Sequence, residues 1–215
     1  SDAFLNEGLS IKALALGGSY IGIKDDVSTI VYNPASLGLL KNKQFFGAYS
    51  PNTITKMKMS KIFLGYADLI DYNINYGIAL LGERIENIEG NNSTYESTGE
   101  LIANNETIDV ISAGINIISR LTVGISLKIL SRHLAGYSST GAGIDIGLYW
   151  MRKEMVKHSI IENIIYNFEA GLAIKNILGP TLKLKGEGER EPIEIRGGLG
   201  YTFEVLNLIL QRSSA

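Results

Sequence analysis

From Leu121 onward a hydrocarbon side chain recurs at every second position. Leu121, Val123, Ile125, Leu127 and Ile129 share one parity; Thr122, Gly124, Ser126, Lys128 and, past Leu130, Arg132 share the other. Successive strand side chains point to opposite faces, so this spacing predicts a strand with one purely apolar face. The stretch "GAGIDIGLYW" repeats the plan, with Ala142, Ile144, Ile146, Leu148 and Trp150 set against Gly141, Gly143, Asp145, Gly147 and Tyr149. "NFEAGLAIK" sets Phe168, Ala170, Leu172 and Ile174 against Glu169, Gly171, Ala173 and Lys175. "PIEIRGGLGYTFE" sets Ile193, Ile195, Leu199, Tyr201 and Phe203 against Glu194, Arg196, Gly198, Gly200, Thr202 and Glu204. Ile111, Ala113, Ile115 and Ile117 oppose Ser112, Gly114 and Asn116 in the same way.

Weaker strand signals at 44–50, 58–67 and 74–82 bring the expected total to about eight, at lengths near the roughly 9–11 residues of a membrane strand. "IISRL" at 117–121 reads as a short turn. Residues 83–106 read as a long polar connection with room for a small hairpin, and 152–165 as a second long connection with room for a helical turn or an interfacial contact. Short turns at one end and long loops at the other are the asymmetry of outer-membrane barrels. No fixed-period repeat, low-complexity tract or linker divides the chain, so the expectation is one domain over 1–215.

Composition narrows the classes. At 215 residues with 45% hydrophobic and 20% charged residues and a net charge of −2, a broad basic surface for nucleic acid is not expected. The absence of cysteine removes disulfides, thiolate metal sites and cysteine nucleophiles. No run of about 18 apolar residues is present, so a membrane role would have to be built from strands. The chain starts at Ser1 without a basic and apolar leader, which leaves any secretory signal either already removed or never there.

A soluble β-sandwich also alternates apolar and polar positions. Here, however, the less apolar parity is mostly Gly, Ala, Ser and Thr with isolated charges, rather than the long polar side chains of a solvated sheet. Small residues and charges of both signs suit a crowded barrel interior with the hydrocarbon parity turned to lipid. Aspartate at Ile125 or Ile146 should then hinder assembly more than aspartate at Ser126. Tyr149, Trp150, Tyr201 and Phe203 stand near strand ends, where an interfacial aromatic girdle is expected.

The segment "KALALGGSYIGIKDDVSTIVYNPASLGLL" is neither one helix nor one strand. It carries an Ala-Leu-x-x-Gly-Gly run (Ala13, Leu14, Gly17, Gly18), an acidic pair (Asp25, Asp26) and an Asn-Pro-Ala-x-Leu run (Asn33, Pro34, Ala35, Leu37). This pattern resembles the N-terminal signature of the PorV/PorQ family, relatives of FadL-type outer-membrane transporters. The resemblance continues through "VGISLKILSRHLAGYSSTGAGIDIGLYW" and "GLAIKNILGPTLKLKGEGEREPIEIRGGLGYTF". It implies an all-β transmembrane antiparallel barrel of about fourteen strands. Residues 1–40 would form a short plug-like segment near the mouth or lumen, and 41–215 would supply barrel strands. The implied place is the outer membrane, after removal of a signal peptide, with lipid as the surrounding partner. The implied role is either protein export and surface attachment, with secretion-system proteins as partners, or passage of a hydrophobic ligand. Only about eight strands fit before Ala215, and "EVLNLILQRSSA" lacks a terminal aromatic strand, so the expectation is an incomplete barrel or one that closes differently.

Within the plug, Gly17 and Gly18 would permit a turn or a close approach to the wall. Asn33 would cap a short helix with Pro34 at its first position, and Asp25 and Asp26 would face polar lumen or solvent. In the lumen, Lys128, Arg132, Asp145, Glu169, Lys175 and Arg196 are candidates for a polar pathway, against the favoured alternative that such charges pair across strands. His133 and His158 have no ligand-spaced partners, and "GAGIDIG" and "GEGERE" lack nucleotide-loop spacing, so no metal or cofactor is expected. No nucleophile, base and orienting group assemble, so a non-enzymatic protein is expected. The competing class is a soluble all-β binding module.

Overall fold

The computed structural model describes residues 21–22, 26–52, 58–91, 97–118, 120–156, 164–179, 181–182 and 189–204. Eight strands form one antiparallel sheet: β1 (Gln44–Asn52), β2 (Lys58–Asp71), β3 (Ile74–Asn91), β4 (Ser97–Ile118), β5 (Leu121–Leu134), β6 (Tyr137–Val156), β7 (Ile164–Lys175) and β10 (Glu194–Glu204). Their spatial order is their chain order, a meander. Two short strands, β8 (Thr181–Leu182) and β9 (Glu189–Arg190), pair with each other in the connection between β7 and β10. Among the described residues no helix is long and apolar enough to cross a membrane.

Strand parity follows the sequence pattern. Ile125, Leu127, Ile129, Ile146, Leu148, Leu172 and Leu199 lie on the exposed face, whereas Ser112, Thr122, Ser126, Lys128, Asp145, Glu169 and Lys175 are buried on the other. Burial of the polar parity inverts the usual soluble arrangement. The reason is what covers it: two 3-10 helices, Val27–Val31 and Pro34–Leu39, lie against that face. Val27, Ile30, Val31 and Leu37 pack there with Phe63, Leu81, Ile108 and Leu130 of the wall. Fully burying each such side chain is worth about 1.5–3 kcal/mol, so this inner layer is where the described core sits.

Two expectations about the connections are corrected. Within 83–106 the described residues form more than a small hairpin: β3 and β4 continue with bulges and are still paired at Asn91 and Ser97. The backbone amides of a polar segment are satisfied as well by a partner strand as by water, which composition alone does not reveal. The loop asymmetry is also only partial, because β5 and β6 meet in a two-residue turn at the end where long loops were expected. Ala135 and Gly136 both have positive φ there, 49° and 82°, the geometry of a tight hairpin turn. In the 152–165 segment, β6 runs to Val156 and β7 starts at Ile164; the expected helical turn lies outside the described residues.

Among the described residues the sheet does not close into a barrel. β1 and β10 are the two ends of the sheet and do not pair with each other. The tail beyond Glu204 lies outside the described residues.

Candidate functional site

The interior begins with the asparagine that the sequence singles out. Asn33 is the N-cap of the second 3-10 helix: its Oδ1 accepts from the Ala35 amide at 3.1 Å, and Pro34 fills the first helical position. Its Nδ2 donates to the Ile21 carbonyl at 3.2 Å and to the Leu148 carbonyl of β6 at 3.1 Å. One side chain therefore caps the helix and ties it to the wall. Asn75 of β3 holds the other end, donating to the carbonyls of Leu37 at 2.6 Å and Leu40 at 2.9 Å. The polar residues between are satisfied locally. The Ser36 hydroxyl lies 2.6 Å from Thr29 Oγ1 and 2.7 Å from the Asn33 carbonyl, its one proton shared between these two acceptors, and Thr29 Oγ1 donates to the Asp26 carbonyl at 2.8 Å.

Asp26 is half-buried. It caps the first 3-10 helix, accepting from the Ser28 amide at 2.8 Å and from the Ser28 hydroxyl. Gly17, Gly18 and Asp25 lie outside the described residues.

The close approach expected of the plug glycines is made by glycines of the wall. Gly114, Gly124 and Gly147 sit directly opposite one another on β4, β5 and β6, and Gly171 sits opposite Gly198 on β7 and β10. Together they form a trough. A Cβ at Gly114 would overlap the Gly38 amide, one at Gly124 the Pro34–Ala35 peptide, one at Gly147 the Asn33 side chain, and one at Gly171 the Ile21 carbonyl. The plug backbone thus occupies volume that any other residue would fill. The signal was present in the small-residue parity, but only strand register aligns these glycines.

Lys128 and Asp145, both buried, form an ion pair at 3.1 Å from β5 to β6. Asp145 also accepts from the Asn176 amide at 2.7 Å. Arg132 pairs with Glu106, its direct register partner on β4, through Nε at 2.8 Å. Ser112 and Ser126, also directly opposite, share a hydrogen bond at 2.5 Å. Lys128, Asp145 and Arg132 thus pair across strands, whereas Arg196 pairs with Glu194 of its own strand. Above them the β8–β9 hairpin turns inward, with Leu182 joining the core and Asn176 donating to the Pro192 carbonyl at 3.0 Å.

The outer face has its own geometry. One hydrogen-bonded row crosses Tyr49, Ile62, Gly82, Thr107, Ser131 and Thr140, apolar on β1 and β2 but polar from β4 to β6. A lower row crosses Asp68, Tyr76, Ala113, Ile125, Ile146, Ile174 and Ile195, polar on β2 but apolar from β4 to β10. Lower still, Arg152 of β6 sits opposite Phe168, which sits opposite Tyr201. The apolar band therefore descends by about six residues over the six steps from β2 to β10, about one residue per strand. At about 3.3 Å per residue and 4.8 Å between strands, the strands are inclined to the normal of the band by about 35°. On β5 the band runs from Leu121 to Ile129, about 26 Å along the strand and about 21 Å high once inclined. Asp109 marks its upper margin on β4, between Leu80 and Ile129.

Aromatic placement corrects one expectation. Trp150 and Tyr201 face outward near the lower margin, and Trp150 meets Phe168 edge to face at 5.9 Å. Tyr149, expected in the same girdle, points inward and is 1% exposed, because adjacent strand residues cannot share a face. The Phe203 side chain lies outside what is described.

Removing Asn33 should separate its two roles. Asn33→Asp keeps the cap but loses the donor to Leu148, whereas Asn33→Ala loses both. The alanine variant is expected to be destabilised by about 2–3 kcal/mol, summing a cap of about 1 kcal/mol and a buried carbonyl left unpaired. The aspartate variant should fail to protect the plug from protease while the sheet stays folded; equal protection in Asn33→Asp and the parent would refute the tie to β6.

No protein-family model matches the chain, and no curated protein matches it.

Proposed function

We propose that the sheet is part of the wall of an outer-membrane β-barrel of the PorV/PorQ type, non-enzymatic, with its apolar band in lipid and its N-terminal segment plugging the interior. The observation that carries this reading is the inclination of the band. A soluble sheet packed against a partner layer buries its hydrocarbon parity, whereas here that parity is exposed on all eight strands, 51% at Ile125 and 76% at Leu199. A lipid slab imposes two parallel margins on strands that cross it obliquely. Spanning strands incline by about 35–45° under an apolar band about 25 Å tall, and the measured register supports values near both.

Of the two roles the resemblance implies, the arrangement favours protein export or surface attachment. A carrier of hydrophobic molecules needs an apolar chamber beside the plug. Among the described residues the interior there is filled by side chains and ion pairs, and an apolar groove lined by Phe45, Leu64, Ile78, Leu80 and Ile111 lies on the outer face. Exposed apolar residues instead mark the connecting regions: Leu101 on the extended β3–β4 hairpin, and Leu178 and Ile193 between β7 and β10. Such residues suit contact with another protein.

The test is fractionation of cells making the chain, followed by gel mobility of the detergent extract with and without heating. Recovery from the outer membrane only in detergent, with a heat-dependent shift, is expected. A monodisperse protein recovered without detergent would refute the lipid assignment and leave the soluble all-β binding module as the reading.

A further inference from the structure

β4 outruns its neighbour. Asn104 is the last residue of β4 to meet β5, at Leu134, and residues 97–103 continue past it with only β3 beside them among the described residues. Resting on the export and attachment reading above, we propose that this projecting edge of β4 receives an extended, basic segment of another protein as an added strand, laid over the β5–β6 turn.

The backbone sets the kind of partner. With positive φ at both Ala135 and Gly136, the turn is the two-residue hairpin type, which is flanked by a doubly hydrogen-bonded pair, here Leu134 and Tyr137. The peptide groups of Leu134 therefore face β6, and those of His133 face β4, where they meet Asn105. Alternation carries the same direction along β4, so Ala103 and Leu101 turn amide and carbonyl to the side that β5 has left. Among the described residues neither meets a partner there. Bare donors and acceptors at two-residue spacing are matched by another extended backbone.

Side chains and charge narrow the partner further. The added strand would lie in a groove of about 580 Å³, with Leu101 and Ala103 along one side and Ala135 and Gly136 beneath. Leu101 is 67% exposed, so an apolar side chain opposite it gains a cross-strand contact. From Glu86 to Glu100 the chain holds four glutamates and no lysine or arginine. Glu86 pairs with Arg84, and the remainder leave the hairpin acidic, which favours a segment bearing cations.

A second copy in the same membrane does not fit. The edge stands above Asp109, the upper margin of the apolar band, and directly over β5 and β6. A spanning strand of another barrel laid on it would continue down into the volume those strands fill. A segment arriving from the water side meets no such obstacle.

The probe is a fluorescent peptide of alternating lysine and valine, titrated by anisotropy into protein extracted in a non-ionic detergent. Saturable binding is expected, weakening as salt is raised. Methylating one alternate set of the peptide's amides should abolish binding and methylating the other should spare it, since only alternate residues bond to a given neighbour. Ala103→Pro removes an amide on the open side and leaves the ladder to β3 intact. It should weaken binding by about tenfold, whereas Ala103→Ser should not change it, both variants keeping the heat-dependent gel shift. In heat-modifiable protein, no saturable binding, equal effects of the two methylated sets, or unchanged affinity in Ala103→Pro would each overturn strand addition and leave the lipid assignment standing. Binding selective for one methylated set, by protein recovered without detergent, would support the added strand and refute the outer-membrane reading.

Discussion

Ile125→Arg and Ile146→Arg are expected to cost about 2–4 kcal/mol of folding stability in lipid, whereas His133→Arg costs about 0–1. Ile125 and His133 share the outward face of the same strand, one near the middle of the apolar band and one above its upper margin beside Ser131. Only depth separates them. In water, arginine at a half-exposed isoleucine away from special contacts changes stability by no more than about 0.5 kcal/mol in either direction. In hydrocarbon the guanidinium has no solvent and must distort the bilayer or reach its edge. Urea titration of the three variants in lipid vesicles measures the difference directly. Equal midpoints for Ile125→Arg and His133→Arg would rule out a lipid-facing band. Ser126 is a poor comparison despite its parity. It is 1% exposed, bonded to Ser112 and register-paired with Asp145, so aspartate there would place a second carboxylate against the first.

The second large effect is expected at the glycine trough. Gly124→Val would drive a branched side chain into the Pro34–Ala35 peptide, where a single Cβ already overlaps. Overpacking a tight site typically costs about 1–3 kcal/mol, occasionally more, and here relief requires the plug to leave. Undocking would expose Val27, Ile30 and Leu37, now almost fully buried, each worth about 1.5–3 kcal/mol. Limited proteolysis should therefore cut the Gly124→Val variant between residues 26 and 40 while the strands resist. Gly197→Ala is the control, because its added Cβ meets only the Gly171 carbonyl at 3.9 Å. Equal protease resistance in the two variants would mean that the trough does not hold the plug.

Much of this was legible in the chain, and what was legible is local. Strand parity follows from a backbone repeat of two residues, so the outward isoleucines of β4 to β10 and the inward Lys128 and Asp145 were assigned before any fold was known. The Asn33 cap was equally readable, since its oxygen bonds an amide two residues away and Pro34 already holds the helical φ. The same locality explains the errors. Tyr149 was grouped with Trp150 by proximity to a strand end, although neighbouring strand residues face opposite sides. The polarity of 83–106 suggests a long connection with at most a small hairpin, although a strand's amides need only another strand.

Tertiary structure decided the rest through register. Pairing of residues up to tens of positions apart brings Gly114, Gly124 and Gly147 into one row and joins Arg132 to Glu106. It also sets the apolar band oblique to the strands. No single segment contains that information, because each strand alternates identically whichever residue lies opposite. The sequence by itself determined which face of β4, β5, β6, β7 and β10 is hydrocarbon and where the second 3-10 helix begins. Only the assembled sheet determined which glycines make room for that helix, and that β1 and β10 are the two ends of the sheet among the described residues, because both depend on how strands are offset against one another rather than on how any one of them is composed.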